Sequence, residues 1–312
     1  MEKGGDGRKK MAVLVGCNYE GTQYKLHGCQ NDVLSMRDVL IKRFGFDCSN
    51  IQLMMDKPGS PVMPTASNIK SALGRMVDQS QPGDVLFFHF SGHGTLIAKH
   101  HHREEAIVAL DFNLITSTDF REIVNRVAEG AIFTILSDSC HSGGLIDKEK
   151  EQIGPAHIPT PINVAPSTKA HSKFIPFHSL LLHHLSSSTN INNINNTTTA
   201  DDNDITSSLS FGEALKADEG ILLSGCQADE VSQDIVEDSP EGRAYGAFSN
   251  AVQSVLREHS EPLSNKELVL MARRVLDMKH LGKQHPCLYC SDQNAVAPFL
   301  AQSETKLPIQ FT

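Results

Sequence analysis

The sequence has no excess of positive charge, no apolar run long enough to cross a bilayer and no visible internal repeat. Each absence removes a class of function. A net charge of −9 leaves no basic surface of the kind that a general nucleic-acid or anionic-membrane binder needs. The acidic excess is compatible with cationic substrates, but it also simply keeps a protein soluble. After MEKGGDGRKK the apolar stretch MAVLVGC ends at Asn18. It spans about seven residues, well short of a membrane span and at the floor for a signal sequence, so it reads as a first β-strand. Seven cysteines, an odd number without a secretory signal, favour free thiols in a reducing compartment. A cytoplasmic location is therefore expected, with release from dying cells left open. What remains is ordinary globular composition over 312 residues, enough for one large α/β domain or two small ones.

The first 147 residues alternate in type. Met11–Gly16, Ile51–Met55, Val85–Phe90, Ala106–Leu110 and Ile132–Leu136 read as strands. Asp32–Phe44, Thr65–Val77 and Asp119–Val127 have amphipathic helical spacing. This rotation predicts βαβ units, and so a mainly parallel sheet with helices on both faces. Val85–Phe90 is nearly continuous in apolar character, as a strand covered on both faces should be. From 148 to 216 the text turns to Pro, Ser, Thr, Asn and His, including SSSTNINNINNTTTADDND. It has too little apolar content to fold alone and predicts a flexible linker or excisable insert. Order resumes with ILLSGCQ (221–227), helices near 248–258 and 265–279, and the short strand CLYC (287–290). The expected organisation is a flexible start (1–10), a large piece (11–147), the linker (148–216), a small piece (217–300) completing the same sheet, and a tail (301–312).

Two segments stand out, VLFFHFSGHG (85–94) and IFTILSDSCHSGG (132–144). Each is an apolar run that stops at a Gly-bounded reactive residue, His93 in one and Cys140 in the other. In parallel sheets functional residues collect beyond the carboxyl ends of the strands, where both residues fall. A free thiol is only a few per cent thiolate at neutral pH, so a nucleophilic cysteine needs an adjacent base, and imidazole can also return the proton to a leaving amine. The glycines allow close backbone approach, and the N–H groups of Gly94 and Cys140 are the natural oxyanion donors. Taken singly, each residue also reads as a satisfied core side chain; the pairing in Gly-rich settings points to acyl transfer on a peptide bond. A tyrosine-phosphatase loop is excluded, because the sixth residue after Cys140 is Ile146 rather than Arg. Cys287 and Cys290 form a CxxC near His285, but a second pair at zinc spacing is missing. HHH (100–102) reads as a solvated loop. Cys17 ends the first strand on the same edge, as a core thiol or as a neighbour of Cys140.

SGHG followed by DSCHSGG resembles the caspase-like cysteine peptidases, and within them the metacaspases. VGCNY (15–19), LHGCQNDV (26–33), DFNLIT (111–116), LSGCQADE (223–230) and YGAFSNA (245–251) resemble metacaspase segments in the same order. The long linker, the lack of a Pro-rich or zinc-finger segment before the first strand, and HPCLYCSDQNA (285–295) are similar to the short-linker group of plant type II metacaspases. The resemblance implies the caspase-haemoglobinase fold, His93 as general base and Cys140 as nucleophile. It also implies an acidic specificity pocket at Asp32, Ser91 and Asp138, suited to Arg or Lys through charge-assisted hydrogen bonds. From the residues alone, Asp32 reads equally as a helix N-cap and Asp138 as a turn residue.

Metacaspases are often calcium-activated and cleaved in the linker. Here the family's acidic loop is replaced by LIAKHHHREEA (96–106), leaving Glu104, Glu105 and Asp147 at positions resembling calcium ligands. Calcium prefers six or more oxygens, so weak dependence or none is expected and no cofactor is essential. Lys169 and Lys173 lie in the linker, and HSKFIPF (171–177) resembles the autocleavage segment of the short-linker group, which makes Lys173 the expected cleavage site. The expected protein is a monomeric zymogen acting on protein or peptide substrates, with no nucleic-acid or membrane partner. Cell death is a family association only. A non-catalytic caspase-like scaffold is the alternative, disfavoured by the intact dyad and pocket.

Overall fold

Every residue of Val85–Ser91 is buried, and its side chains alternate between two separate cores. Leu86, Phe88 and Phe90 belong to one and Val85 and Phe87 to the other, the two-residue period expected of a strand covered on both faces. The computed structural model describes residues 8–99, 102–140, 142, 145–146, 151–154, 168–189, 220–227, 230–238, 242–279, 281 and 284–300. In chain order the elements are β1 (Lys10–Gly16), α1 (Cys29–Phe44), β2 (Ile51–Met55), α2 (Ala66–Asp78), β3 (Val85–Ser91), β4 (Gly94–Lys99), β5 (His102–Val108), β6 (Leu114–Thr116), α3 (Ser117–Val124), β7 (Ile132–Asp138), β8 (Glu151–Ile153), β9 (Thr168–Ser172), α4 (Phe177–Thr189), β10 (Ile221–Ser224), β11 (Gln233–Glu237), β12 (Ala244–Gly246), α5 (Ala247–Glu258), α6 (Asn265–Met278), β13 (Cys287–Tyr289) and α7 (Asp292–Val296).

Seven strands form the central sheet in the order β2-β1-β3-β7-β10-β13-β8. The first five run parallel, and the antiparallel β13 ends that run. Helices α2 and α3 supply Ile69, Leu73, Met76 and Phe120 to one core, while α1, α5 and α6 supply Val33, Leu40, Phe248, Val252 and Leu268 to the other. The small C-terminal piece therefore completes both the sheet and one of its helical layers, which is the mainly parallel α/β arrangement that the alternating pattern predicts.

Two expectations need correction. The segment 96–106, taken as the counterpart of the family's acidic loop with a strand only from Ala106 on, is most of an antiparallel hairpin in which β4 pairs with β5 from Gly94↔Ile107 to Lys99↔His102. His100 and His101 of HHH lie outside the described residues. The charge-rich sequence hid a ladder whose stability comes from its own backbone pairing and from the burial of Ile97 and Ile107. The linker is also not uniformly without structure. β8 pairs with β13 at the edge of the central sheet, β9 pairs with β11, and α4 buries Leu180. Low apolar content forbids a core of its own, but it does not prevent a segment from adding to a sheet edge already in place. Residues 148–150, 155–167 and 190–216 of the linker lie outside the described residues.

Helix α1 begins at Cys29, three residues before the predicted start, because the side chain of Asn18 at the end of β1 accepts the N–H groups of Cys29 (3.0 Å) and Gln30 (3.4 Å). A side chain distant in sequence thus does the capping that the local sequence does not supply. Asp32 then lies inside the first turn, which removes its N-cap reading.

Candidate active site

The register of the sheet sets Ser91 of β3 beside Asp138 of β7. Two residues further along each chain come His93 and Cys140, both buried at the carboxyl edge. A Cβ placed on Gly94 would stand 1.9 Å from the Cys140 carbonyl oxygen, so this approach requires glycine. His93 is held by its own backbone N–H, which donates to Tyr19 Oη at 3.0 Å, and by Nε2, 2.7 Å from the Tyr24 carbonyl. A carbonyl only accepts, so Nε2 carries the hydrogen and Nδ1 keeps its lone pair. Nδ1 is buried and makes no hydrogen bond, which suits a base waiting for a proton.

Both reactive groups rest uncharged. Burial lowers the His93 pKa to about 4, with the Tyr24 and Lys173 backbone groups acting the other way. Burial also pushes the Cys140 thiol up to about 12, against a hydrogen bond from the Ser232 backbone and the Lys173 ammonium. The Ser232 N–H reaches Cys140 Sγ at 3.1 Å, a donor placed to hold a thiolate once it forms.

Asp32, Ser91 and Asp138 converge on a single cation, and that cation belongs to this chain. The Lys173 side chain is fully buried, with Nζ 3.2 Å from Asp138 Oδ1, 3.9 Å from Asp32 Oδ2, 3.0 Å from Ser91 Oγ and 3.1 Å from the Asp138 carbonyl. Ser91 Oγ in turn donates to Asp32 Oδ2 at 2.7 Å. Further donors are the N–H of Gly246, the residue that caps α5, to Asp32 (2.9 and 3.0 Å), the N–H of Ser249 in the first turn of α5 to Asp138 Oδ2 (2.8 Å), and the Ser232 hydroxyl to Asp138 Oδ1. The positive end of a helix dipole therefore faces both carboxylates. Burial raises the Asp32 pKa to about 8, partly offset by Lys173. Burial acts on Asp138 in the same direction, yet Lys173, Ser232 and Ser249 together hold its carboxyl below the usual range. Lys173 is held above the ordinary lysine value by Asp138, Cys29, Asp32 and Asp234 despite its burial. Asp138 and Lys173 thus form the charged pair, and Asp32 is the carboxylate more disposed to hold a proton.

The backbone around Lys173 lies across the reactive pair. Its N–H donates to the Ser232 carbonyl (3.0 Å), and its carbonyl accepts the Gly94 N–H at 2.9 Å, the donor expected for an oxyanion. Lys169 is exposed on β9, where it pairs with Val236; of the two linker lysines, only Lys173 enters the pocket.

Ser232, Gly246 and Ser249 were not read as site residues. They act through backbone N–H and C=O groups or a hydroxyl, and residue identity advertises none of these. Gly246 and Ser249 lie in YGAFSNA, a segment singled out only for its resemblance. Among the calcium candidates, Glu104 and Glu105 are adjacent on β5, so their side chains leave on opposite faces, and Glu104 binds Thr118 (2.8 Å). Asp147 lies outside the described residues. No group of three His, Cys, Asp or Glu placed to hold a metal occurs among the described residues. Cys287 and Cys290 pack into opposite cores, which a shared zinc would not allow. Cys17 lies among Tyr19, Cys29 and Asp56.

Comparison with known proteins matches residues 9–297 to the Caspase domain. The chain is 49% identical to Metacaspase-9 of Arabidopsis thaliana, over 97% of this chain and all of that one. It is 34% identical to Metacaspase-6 of the same plant, over 93% and 99%. The crystal structure of a Geobacter sulfurreducens protein matches the fold with a TM-score of 0.58 at 17% identity, over 93% of this chain and 97% of that one.

Proposed function

The chain belongs to the caspase-domain family and, within it, to the metacaspases, so it is a cysteine peptidase; we propose that it is an endopeptidase cutting after Lys or Arg and that it activates itself by cutting after Lys173. One observation carries this reading: a lysine of its own chain fills the acidic pocket while its carbonyl sits on the Gly94 N–H. That is the pose of a substrate before attack.

The steps follow from the donors. His93 Nδ1 takes the Cys140 thiol proton, and Sγ attacks the Lys173 carbonyl carbon. The N–H groups of Gly94 and Cys140 hold the oxyanion. Collapse breaks the bond to the Phe174 nitrogen, which receives the proton from His93. Water then hydrolyses the thioester with His93 again as base. The cut frees the segment before Phe174 to leave the cleft, and the same pocket then takes Lys or Arg from other proteins. Asp138 provides the main ionic contact, and Ser91 links the substrate cation to Asp32.

This reading invokes no metal and no second copy of the chain, and the enzyme is proposed to act in the cytoplasm. The test compares fluorogenic peptides ending in Arg, Lys, Asn and Asp, with and without calcium, on wild-type protein and on Cys140→Ala. Cleavage after Arg and Lys only, lost in the variant, is expected. Cleavage after Asn or Asp would overturn the pocket, and a calcium requirement would overturn the metal-free reading. In the intact chain Lys173→Arg should process and Lys173→Ala should not.

A further inference from the structure

Past the cleavage site the chain continues through the cleft, and the burial of its side chains alternates. Lys173 is buried, Phe174 is half-buried and Ile175 is again completely buried. This is the two-residue period of an extended chain laid on a surface. Main-chain bonds hold it there. The Gly94 N–H donates to the Lys173 carbonyl at 2.9 Å, and the Ile175 N–H donates to the Gly94 carbonyl at 3.1 Å, with Phe174 and Gly94 in a parallel bridge. A clamp made of backbone groups fixes the second residue after the scissile bond whatever its identity, and side-chain chemistry at that position then decides affinity. Ile175 belongs to the core that contains Ile107, Phe112, Leu145 and Ile146.

We propose that this position is a specificity subsite of the peptidase: it selects protein substrates with an aliphatic side chain two residues after the scissile bond. The proposal rests on the reading that Lys173–Phe174 is the bond cut in the chain. It adds that Ile175 marks a pocket that foreign substrates refill once the new chain end that begins at Phe174 has also withdrawn. Phe174, half-buried between two buried neighbours, marks a position where many side chains are accepted. An aspartate at the second position would place a carboxylate in an apolar cavity with no partner, and alanine would leave most of the cavity empty.

The experiment uses the processed full-length enzyme and two kinds of peptide. Internally quenched peptides hold lysine before the bond and vary only the second residue after it (Ile, Val, Ala or Asp), with the cut position checked by mass spectrometry. A lysine–coumarin amide with no residues after the bond serves as reference. Ile and Val are expected to be cut alike, Ala about tenfold more slowly in kcat/KM and Asp about a hundredfold more slowly, with the reference cut throughout. Equal rates for all four peptides, beside a reference that is still cut, would overturn the subsite and leave the lysine reading standing. No cut after lysine in any peptide, the reference included, would overturn both.

Discussion

Two groups of side chains a few ångströms apart on one sheet edge are buried alike and held in opposite ways. His93 and Cys140 rest without charge, positioned by main-chain groups of Tyr24 and Ser232. Asp138 and Lys173 rest charged, held by each other and by the first turn of α5. A neutral pair tolerates burial: it can pass one proton between its members in place, as the proposed cut after Lys173 requires. It becomes more reactive toward other substrates when the covering segment moves and water lowers the thiol pKa. A lone buried carboxylate has no such option; without a cation it must take up a proton or draw one in. The reactive half thus responds to exposure and the selective half to a counter-ion, and a single residue, Lys173, satisfies both while it stays in place.

The strongest way to separate the halves is Gly246→Ala. A Cβ there would stand 2.3 Å from both Asp138 Oδ2 and Lys173 Nζ and 2.5 Å from Asp32 Oδ2, so it fills the pocket without touching the dyad. A loss of at least about 100-fold in kcat/KM for lysine and arginine peptides is expected, with alkylation of Cys140 by iodoacetamide unchanged. If alkylation falls in parallel, the two halves are not separable. Next comes Asp138→Asn, which removes the closer carboxylate and should cost about 100-fold. Asp32→Asn should cost about tenfold or less, since a group with a pKa near 8 is mostly protonated already at pH 7. Steady-state kinetics on both variants checks the order, and equal losses would mean that the two carboxylates share the charge.

The same division explains what could be read from sequence. β1, β3 and β7, and with them His93 and Cys140, were legible because apolar runs ending in Gly-bounded reactive residues are uncommon. Asp32, Ser91 and Asp138 came from a resemblance, since one carboxylate in a helix and another before a turn have ordinary local explanations. Gly246, Ser249 and Ser232 were hidden because their contribution is made largely by main chain delivered over 92 to 214 residues. The order within 148–216 was hidden because β8 and β9 borrow their stability from β13 and β11.

Acid should act on the neutral half. The pKa is about 4 for His93 and about 3 for His89, both lowered by burial, against about 6.5 for an unfolded histidine. The unfolded chain therefore binds these protons first. The stability each group lends is complete above about pH 6.5 and falls as pH drops toward 4, by up to ~1.4 kcal/mol per unit per histidine. On a Cys140→Ala background, which in the proposed mechanism prevents processing, the melting temperature should fall over this window. The raised pKa of Asp32 acts in the opposite sense and offsets about one histidine, so His93→Gln should remove most of the slope. An unchanged slope would show that His93 is already exposed to water in the closed form.

A small effect is expected at Ser232, a residue of the chain's own scaffold that touches both halves. Ser232 offers its N–H to Cys140 Sγ and its carbonyl to the Lys173 N–H, while its hydroxyl donates to Asp138 Oδ1 and accepts from Gln284 Nε2 at 3.0 Å. Ser232→Ala deletes only the hydroxyl. Asp138 then loses one of its charge-assisted bonds and Gln284 keeps its bond to the Gly225 carbonyl (2.9 Å). A bond of that kind is worth about 1.5–3 kcal/mol, of which other donors recover part. The expected result is a rise in KM of about tenfold for lysine and arginine peptides, with kcat nearly unchanged, because the main-chain contacts to the thiol and the substrate persist. If kcat falls instead, the hydroxyl is felt at the sulfur, and the selective and reactive halves are one coupled network joined at Ser232.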